Sequence, residues 1–359
     1  MIDNCVEIFD DRSMNASIWN DLIERLNGHF VHTYEWSQCI SRNNRRACRY
    51  LLIRKHGKPA AAGWYTTTGK KIGPFIINKH LGMEALPCYD RAAISAQETF
   101  DEILSAARRE RSIGISFGNS PREFLPFGDR CSINEKINFT LDLDQPLDAL
   151  HANLKGSFRR KLRKAAAHDI RIKYVKKEDD LTMSGMLYTM FEHTISRHIS
   201  LGKERHEQEV SFTLDTIRDL VRSGNAVMFI ASSEDAPLSC ILVSTFNGQA
   251  SYLFGASSPQ GYQLNASYKV MWTIVEYLKT NGFRMFSLGE VPARAKEKKD
   301  HDHGLYRFKD EFGGLRTELI SGTVIIRPVM YGCMSGIKRI KNSLEYRELG
   351  ACLAAIAMD

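Results

Sequence analysis

No apolar run in this chain approaches the ~20 residues a membrane-spanning helix needs, and the longest late candidate, Ala351 to Met358, falls far short. The opening segment, MIDNCVEIFDD, is acidic and lacks a basic n-region. No signal peptide is therefore expected, and the chain reads as cytoplasmic. Eight cysteines are scattered without a Cys-x-x-Cys pair. This argues against a disulfide framework or a zinc ribbon and for reduced thiols. The spacings of His193, His198, His206, His301 and His303 match no zinc pattern, so no metal is expected. No segment is low in complexity. Acidic residues are nearly missing from one stretch: ten Lys or Arg residues lie between His151 and Lys177, with Asp169 the only acid. Such a block suits a polyanion or an anionic membrane surface, and a solvated helix face is the alternative.

What is present is enough apolar residue (43% of 359) to bury a large core, at a length that suggests two domains. In the first half, Arg49–Lys55 and Ala60–Thr68 read as strands joined by the turn His56-Gly57-Lys58-Pro59. Lys71–Ile77 is a further short strand. Ser95–Arg111 has helical spacing, with Phe100, Ile103, Leu104 and Ala107 on one side. Ile113–Phe117 and Lys136–Leu143 read as strands. A long cationic helix is expected from Leu147 to Ala167, with a possible break at Gly156, and it marks the domain boundary.

The second half is patterned more clearly. Leu181–His198 and Val210–Arg222 read as helices, Ala226–Ser232 and Pro237–Phe246 as strands. Asn247-Gly248 signals a hairpin into Gln249–Gly255. An irregular loop, Ala256–Asn265, leads to a helix over Ala266–Thr280 and a strand over Phe283–Leu288. Val291–Gly304 reads as a polar connector. Then comes LYRFKDEFGGL, Leu305 to Leu315. Phe308 and Phe312 lie four apart on one face of a short helix, Lys309 sits beside them, and Gly313 supplies the positive φ that ends it. A strand-like run from Leu315 to Arg327 follows.

The order of the second half is the layout of a GNAT-type acyltransferase domain, and the first half resembles a degraded copy of it. With the segment RFKDEFGG, Arg307 to Gly314, the chain resembles the Fem family of peptidoglycan bridge-forming aminoacyltransferases and their Fem-like relatives. The resemblance covers roughly Val31 to Arg327. It is carried by HTYEWSQCI (His32 to Ile40, with Trp36), LKGSFRRKLRKAAAHDI (Leu154 to Ile170), MFEHTISRH (Met190 to His198, with Thr194 and Arg197), SYLFGASS through FSLG (Ser251 to Gly289, with Tyr252) and RFKDEFGG.

It implies an α+β fold of two tandem GNAT-like domains, each a mixed, mostly antiparallel sheet flanked by helices. The expected units are residues 1–146, a degenerate GNAT-like domain; 147–330, the acyltransferase domain; and 331–359, a helical tail. It also implies direct transfer of an aminoacyl group from aminoacyl-tRNA to an amine acceptor such as a cell-wall precursor or small peptide. No cofactor is tightly bound in this reading, because the activated donor is a co-substrate. Lys309 matches the family's lysine next to the reacting ester, and Arg197 an arginine that contacts acceptor phosphates. Thr194, Arg307, Phe308, Tyr252 and Trp36 are the other expected substrate contacts; Arg159, Arg160, Arg163 and Lys164 are expected on the tRNA or its phosphates.

Chemistry supports these roles without fixing them. A fixed cation such as Lys309 beside a carbonyl oxygen lowers the barrier to amine attack, although it could equally hold a donor hydroxyl or phosphate. Glu290 and Glu311 are candidate bases for the attacking amine. Two departures from the family bear on substrate. Ile40 stands where a lysine is common after the early Trp, and Ser287-Leu288 replaces an aspartate before Gly289. An acyl-CoA or acyl-carrier thioester is the alternative donor, acting on an amino sugar or small amine. Ser257 to Lys269 occupies the place of the pyrophosphate-binding turn, but its one glycine, Gly261, is out of register. A non-catalytic polyanion-binding module is the remaining alternative.

Overall fold

The structure is a computed structural model and describes residues 4–72, 75–124, 131–177, 181–200, 213–234 and 236–332. In chain order the elements are β1 (Asn4–Asp10), α1 (Ala16–Arg25), α2 (Tyr34–Asn44), β2 (Cys48–Lys55), β3 (Lys58–Ile72), β4 (Phe75–Met83), β5 (Cys88–Tyr89), α3 (Ala96–Arg109), β6 (Gly114–Pro121) and β7 (Cys131–Asp142). There follow α4 (Leu147–Asn153), α5 (Gly156–Ala166), β8 (Arg171–Val175), α6 (Leu181–Ser200), α7 (Leu214–Arg222), β9 (Ala226–Ser233), β10 (Ala236–Phe246) and β11 (Gln249–Ser257). The last are α8 (Pro259–Gln263), α9 (Ala266–Thr280), β12 (Met285–Pro292), α10 (His303–Asp310) and β13 (Leu315–Ile325).

All the described strands form one sheet, in the order β1-β2-β3-β4-β6-β13-β7-β12-β11-β10-β9-β8, with β5 beside β3. The order is a near palindrome about the β13–β7 pair. In each half an antiparallel run (β2-β3-β4, or β9-β10-β11) is followed by a helix (α3 or α9). A strand parallel to the last of the run comes next: β6 beside β4, β12 beside β11. Each half then sends its final strand across the middle, so that β7 pairs with β12 and β13 with β6. The sheet is therefore a tandem repeat with exchanged last strands, which is an α+β fold of two GNAT-like units.

Three apolar clusters cover it. One packs α1 and α2 against α6 and α7, with Trp19, Ile23 and Trp36 meeting Leu187, Ile217 and Leu220 across the halves. A second lies beneath α4, α5, α9 and α10 around Phe158, Phe229, Ile274, Phe286 and Phe312. A third lies beneath α3 around Phe100, Ile103, Ile115 and Phe117. Burial at this density is what orders the chain, since side chains of this size each contribute roughly 2 kcal/mol on leaving water.

Local chemistry accounts for most boundaries. Ser95 and Glu98 form a reciprocal capping box at the start of α3. Asn247 and Gly248 adopt φ of 50° and 66°, the two positive values that a type I′ hairpin turn requires. Several expectations need correction. The cationic helix is two helices: Leu154 and Lys155 adopt extended ψ, and Lys155 N–H donates to Glu311 O at 2.9 Å, outside any helix. The loop Ala256–Asn265 contains α8, capped by Ser258. The connector after Val291 begins as strand and then makes a 3₁₀ turn, Ala293–Lys296, that buries Ala295. Lys71–Ile77 straddles the end of β3 and the start of β4. Residues 210–212 and 333–359, and with them most of the expected tail, lie outside the described residues.

Candidate active site

The parallel pairing of β11 with β12 covers only Gln249/Met285, Ala250/Phe286 and Ser251/Ser287. Beyond that point the strands part. β11 stays on β10 to Ser257, and β12 stays on β7 to Pro292. The parting is built into both strands by bulges. One skips Leu253 between the Leu242/Phe254 and Val243/Tyr252 pairs, and one skips Leu288 and Gly289 between Ser287/Thr140 and Glu290/Asn138. Gly289 has φ of 80°, a conformation a side chain would strain. A polar row on β7 fixes the bulge: Gly289 N–H donates to Ser287 Oγ (3.2 Å), Ser287 Oγ to Asn138 Oδ1 (2.9 Å), and Asn138 Nδ2 to Thr140 Oγ1 (3.1 Å).

Lys309 enters at this bulge. It is 6% exposed, and its Nζ donates to the Glu290 carbonyl oxygen at 3.0 Å. A Cβ on Gly289 would stand 3.2 Å from that nitrogen. Burial pushes the Lys309 ammonium down to about 8, with the Glu290 carboxylate opposing the fall and the Lys136 cation adding to it. The Glu290 side chain accepts from Asn119 Nδ2 (2.6 Å) and lies 3.5 Å from Lys136 Nζ. Burial, the largest single influence, would raise its carboxyl, yet Lys136 and Lys309, with the hydrogen bonds from its own backbone and from Asn119, together hold it below the usual range.

Helix α10 owes its place to aromatic packing. Phe312 meets Phe158 at 4.5 Å, Phe308 meets Tyr268 at 5.3 Å, and Tyr306 meets Phe139 at 5.5 Å. Gly313 ends the helix at φ of 69°. Polar ties bind it to α5. Lys161 Nζ donates to both Glu311 oxygens (3.1 and 3.3 Å) and to Tyr268 Oη (2.6 Å), while Lys155 and Arg316 pair with Asp310. Glu311, 4% exposed, is thus taken up by a structural tie.

The other expected residues sort by place. Tyr252 lies at the parting, and its carbonyl oxygen is 3.7 Å from the Gly289 Cβ position; burial raises its hydroxyl. Phe308 is half-buried in the aromatic cluster and Arg307 is exposed on α10. Arg159, Arg160, Arg163 and Lys164 all face solvent on α5. Thr194 sits on α6, its hydroxyl bonded to its own helix at Met190 O (3.0 Å). The Arg197 side chain lies outside the described residues. Trp36 is 6% exposed in the core shared by the two halves, against Phe30, because it falls on the inner face of α2. It does not join the Lys309 cluster. A hollow of about 370 Å³ on the outer side of α2, lined by Tyr34, Glu35, Gln38, Arg42 and Asp219, shares no residue with that cluster. Among the described residues, Asp300, His301 and Asp302 alone group like metal ligands, and they are engaged with Arg294 and one another.

Sequence reasoning missed Lys136 and Asn119, and no local signal marked them. The sequence also carries GISFG, Gly114 to Gly118, the spacing of a hydrolase nucleophile elbow. Here that segment is the first part of β6, paired with β4 and β13. Ser116 Oγ bonds His80 Nε2 and Thr323 Oγ1, each at 2.8 Å, inside the ladder instead of on an exposed turn.

Residues 152–309, which contain the parting strands and reach Lys309, match the family model of the acetyltransferase (GNAT) domain. That stretch, somewhat under half of the chain, is thus a GNAT-type acyltransferase domain. The build of the chain is Fem-like: a solved structure of FemX superposes with a TM-score of 0.67 at 13% identity, over 91% of this chain and 99% of that one. The C-terminal domain of a lysylphosphatidylglycerol synthetase from Agrobacterium fabrum gives a TM-score of 0.58 at 13% identity, over 90% and 95%. A structure of L-PGS from Bacillus licheniformis gives 0.54 at 12%, over 87% and 92%. No curated protein sequence matches the chain. Among the described residues no helix is long and apolar enough to cross a membrane.

Proposed function

We propose that this protein transfers an aminoacyl group from aminoacyl-tRNA to an amine acceptor by direct attack, with Lys309 at the reacting carbonyl. The observation that carries this reading is a buried ammonium held at the point where β11 and β12 part. The acceptor nitrogen attacks the ester carbon, a C–N bond forms, and negative charge builds on the carbonyl oxygen. The C–O bond to the ribose then breaks, and the proton lost by the amine ends on the departing oxygen or in solvent. A lysine ammonium in a low-dielectric site stabilises that oxyanion far more than a solvated one would. Glu290, whose carboxyl is held below the usual range, is the proposed relay that takes the amine proton and passes it to the departing oxygen or to solvent.

The solvent-facing cations of α5, Arg159, Arg160, Arg163 and Lys164, offer a polyanion a surface next to α10. They suit the tRNA acceptor arm, and they would also meet an anionic membrane if the amine-bearing acceptor is a lipid-linked cell-wall precursor or a lipid. Arg197 and Thr194 on α6, with Tyr252, Arg307 and Phe308, remain the proposed substrate contacts. A tRNA donor would place the reaction in the cytoplasm.

One observation favours acyl-CoA instead. Asn265, at the start of α9, is left-handed and gives no side-chain cap, so its side chain does not take up the first N–H groups of the helix. Against it, the preceding turn is already used: Gly261 N–H donates to Ser258 Oγ at 3.1 Å, and Gly261 is buried against Leu238 O.

The deciding experiment incubates the purified protein with tRNA charged with radiolabelled amino acids and a panel of amines, beside a parallel set with acetyl-CoA. The expected result is label transfer that needs intact charged tRNA and is lost in Lys309→Met. Turnover of acetyl-CoA without tRNA would overturn the choice of donor.

A further inference from the structure

Glu290 and Lys309 belong to the C-terminal half, but the groups around the Glu290 carboxylate come from the other one. Asn119 lies on β6, whose neighbours are β4 and β13. Lys136 lies on β7, the strand that crosses from the N-terminal half to pair with β12. Asn119 bridges the two charges: its Nδ2 donates to Glu290 Oε1 at 2.6 Å, and its Oδ1 accepts from Lys136 Nζ at 2.8 Å. Lys136 Nζ is itself 3.5 Å from Glu290 Oε1, and the backbone oxygen of the same Glu290 holds Lys309. Lys136 and Glu290 are each 23% exposed, so water screens this group only in part.

We propose that Lys136 and Asn119 are positioning residues for Lys309: they fix an ionised Glu290 and a second cation beside it, so that the acyl-transfer site is electrostatically incomplete without strands β6 and β7.

The physical logic is a balance of two near charges of opposite sign on one buried ammonium. Glu290 favours the charged form of Lys309 and Lys136 disfavours it. Asn119 keeps both from swinging to solvent. The remaining charged neighbours are already committed. Asp310 is paired with Lys155 and Arg316, Glu311 with Lys161, and Arg307 points to solvent. Tyr252 of β11, whose hydroxyl is held neutral by burial, adds no charge. The N-terminal half thus acts on the reaction without touching substrate.

This inference rests on the reading of Lys309 as the cation at the reacting carbonyl, but its test needs no donor. The full-length chain is labelled with lysine carrying ¹³C at Cε, and the Lys309 resonance is assigned by its loss in Lys309→Met. Its titration midpoint is then followed by NMR. The wild-type midpoint is expected near 8. Lys136→Met is expected to raise it by roughly one pH unit and Glu290→Gln to lower it by a similar amount. Lys136→Arg should restore the wild-type value, and Asn119→Ala should raise it by less than Lys136→Met does. A Lys309 midpoint that ignores Lys136→Met, or that moves the same way in Lys136→Met and Glu290→Gln, would overturn the proposal. Failure of tRNA-dependent transfer alongside opposite shifts in these two variants would sink the donor assignment and leave the positioning role standing.

Discussion

The two halves of the sheet carry the same parting of parallel strands and use it in opposite ways. In the C-terminal half, pairing stops at Ser251/Ser287 and a buried lysine enters at the bulge. In the N-terminal half, pairing of β4 with β6 stops at Met83/Phe117, and the chain itself fills the place. A Cβ on Gly118 would overlap the Glu84 carbonyl oxygen, Leu86 N–H donates to the fully buried Ser120 Oγ at 3.0 Å, and Leu86 O accepts from His32 Nε2 at 3.0 Å. The same topology therefore yields one candidate site and one plug. The difference also shows what each pays for: the plug satisfies its polar groups, whereas the site keeps an ammonium where burial opposes its charge.

The contrast breaks most sharply at Lys309. Lys309→Met is expected to lower transfer by about 10²- to 10³-fold, measured with charged tRNA. The same variant should be more stable. The folded pKa lies below that of a free lysine, so the wild type gains stability as pH rises from about 8 through 10.5 and lacks it below. Lys309→Met should gain about 3 kcal/mol at pH 7 in denaturant melts, and the gain should vanish above pH 10.5. An equal loss of activity and stability would mean that Lys309 is only a packing residue. In the wild type, transfer should fall as pH rises through about 8, and Lys309→Arg, which keeps its charge, should lose that alkaline limb.

Next in size is the plug. Gly118→Ala should cost about 3 kcal/mol or more by thermal melt, because backbone and not a flexible side chain would have to move. Ser120→Ala should cost about 1–3 kcal/mol through the orphaned Leu86 N–H, with transfer per folded molecule unchanged. Loss of transfer in Ser120→Ala would show that the N-terminal parting is a working site and not a plug. The smallest effect is on α5. Arg160→Glu with Arg163→Glu should weaken tRNA binding several-fold and flatten its salt dependence, while Lys161→Met, on the inward face, should lower stability and leave the salt slope alone.

Much of this was legible because it depends on near neighbours. The capping box at Ser95 and Glu98, the turn at Asn247-Gly248 and the helix stop at Gly313 each follow from residues within a few positions. Lys309 stood out for the same reason, since the two phenylalanines and two glycines around it mark an anchored, terminated helix. The break of the cationic helix at Lys155 was only half visible, because what stops it is a hydrogen bond to Glu311, far along the chain. β1 and α1 went unread, although Asn15 caps α1 and Trp19, Leu22, Ile23 and Leu26 have helical spacing. Trp36 looked like a substrate contact by resemblance and proved to be core, a distinction set by what packs on α2.

The sequence by itself determined the order of most strands and helices, the cationic stretch and the one lysine worth mutating first, because periodicity, turn chemistry and charge are local properties. Only the tertiary structure decided that the last strand of each half crosses to the other. It alone decided that one parting is plugged while the other holds Lys309, and that Asn119 and Lys136 stand around Glu290. Asn119 and Lys136 each lie more than 150 positions from Glu290 along the chain, and they meet it because sheet pairing and a shared core bring distant strands within hydrogen-bond reach.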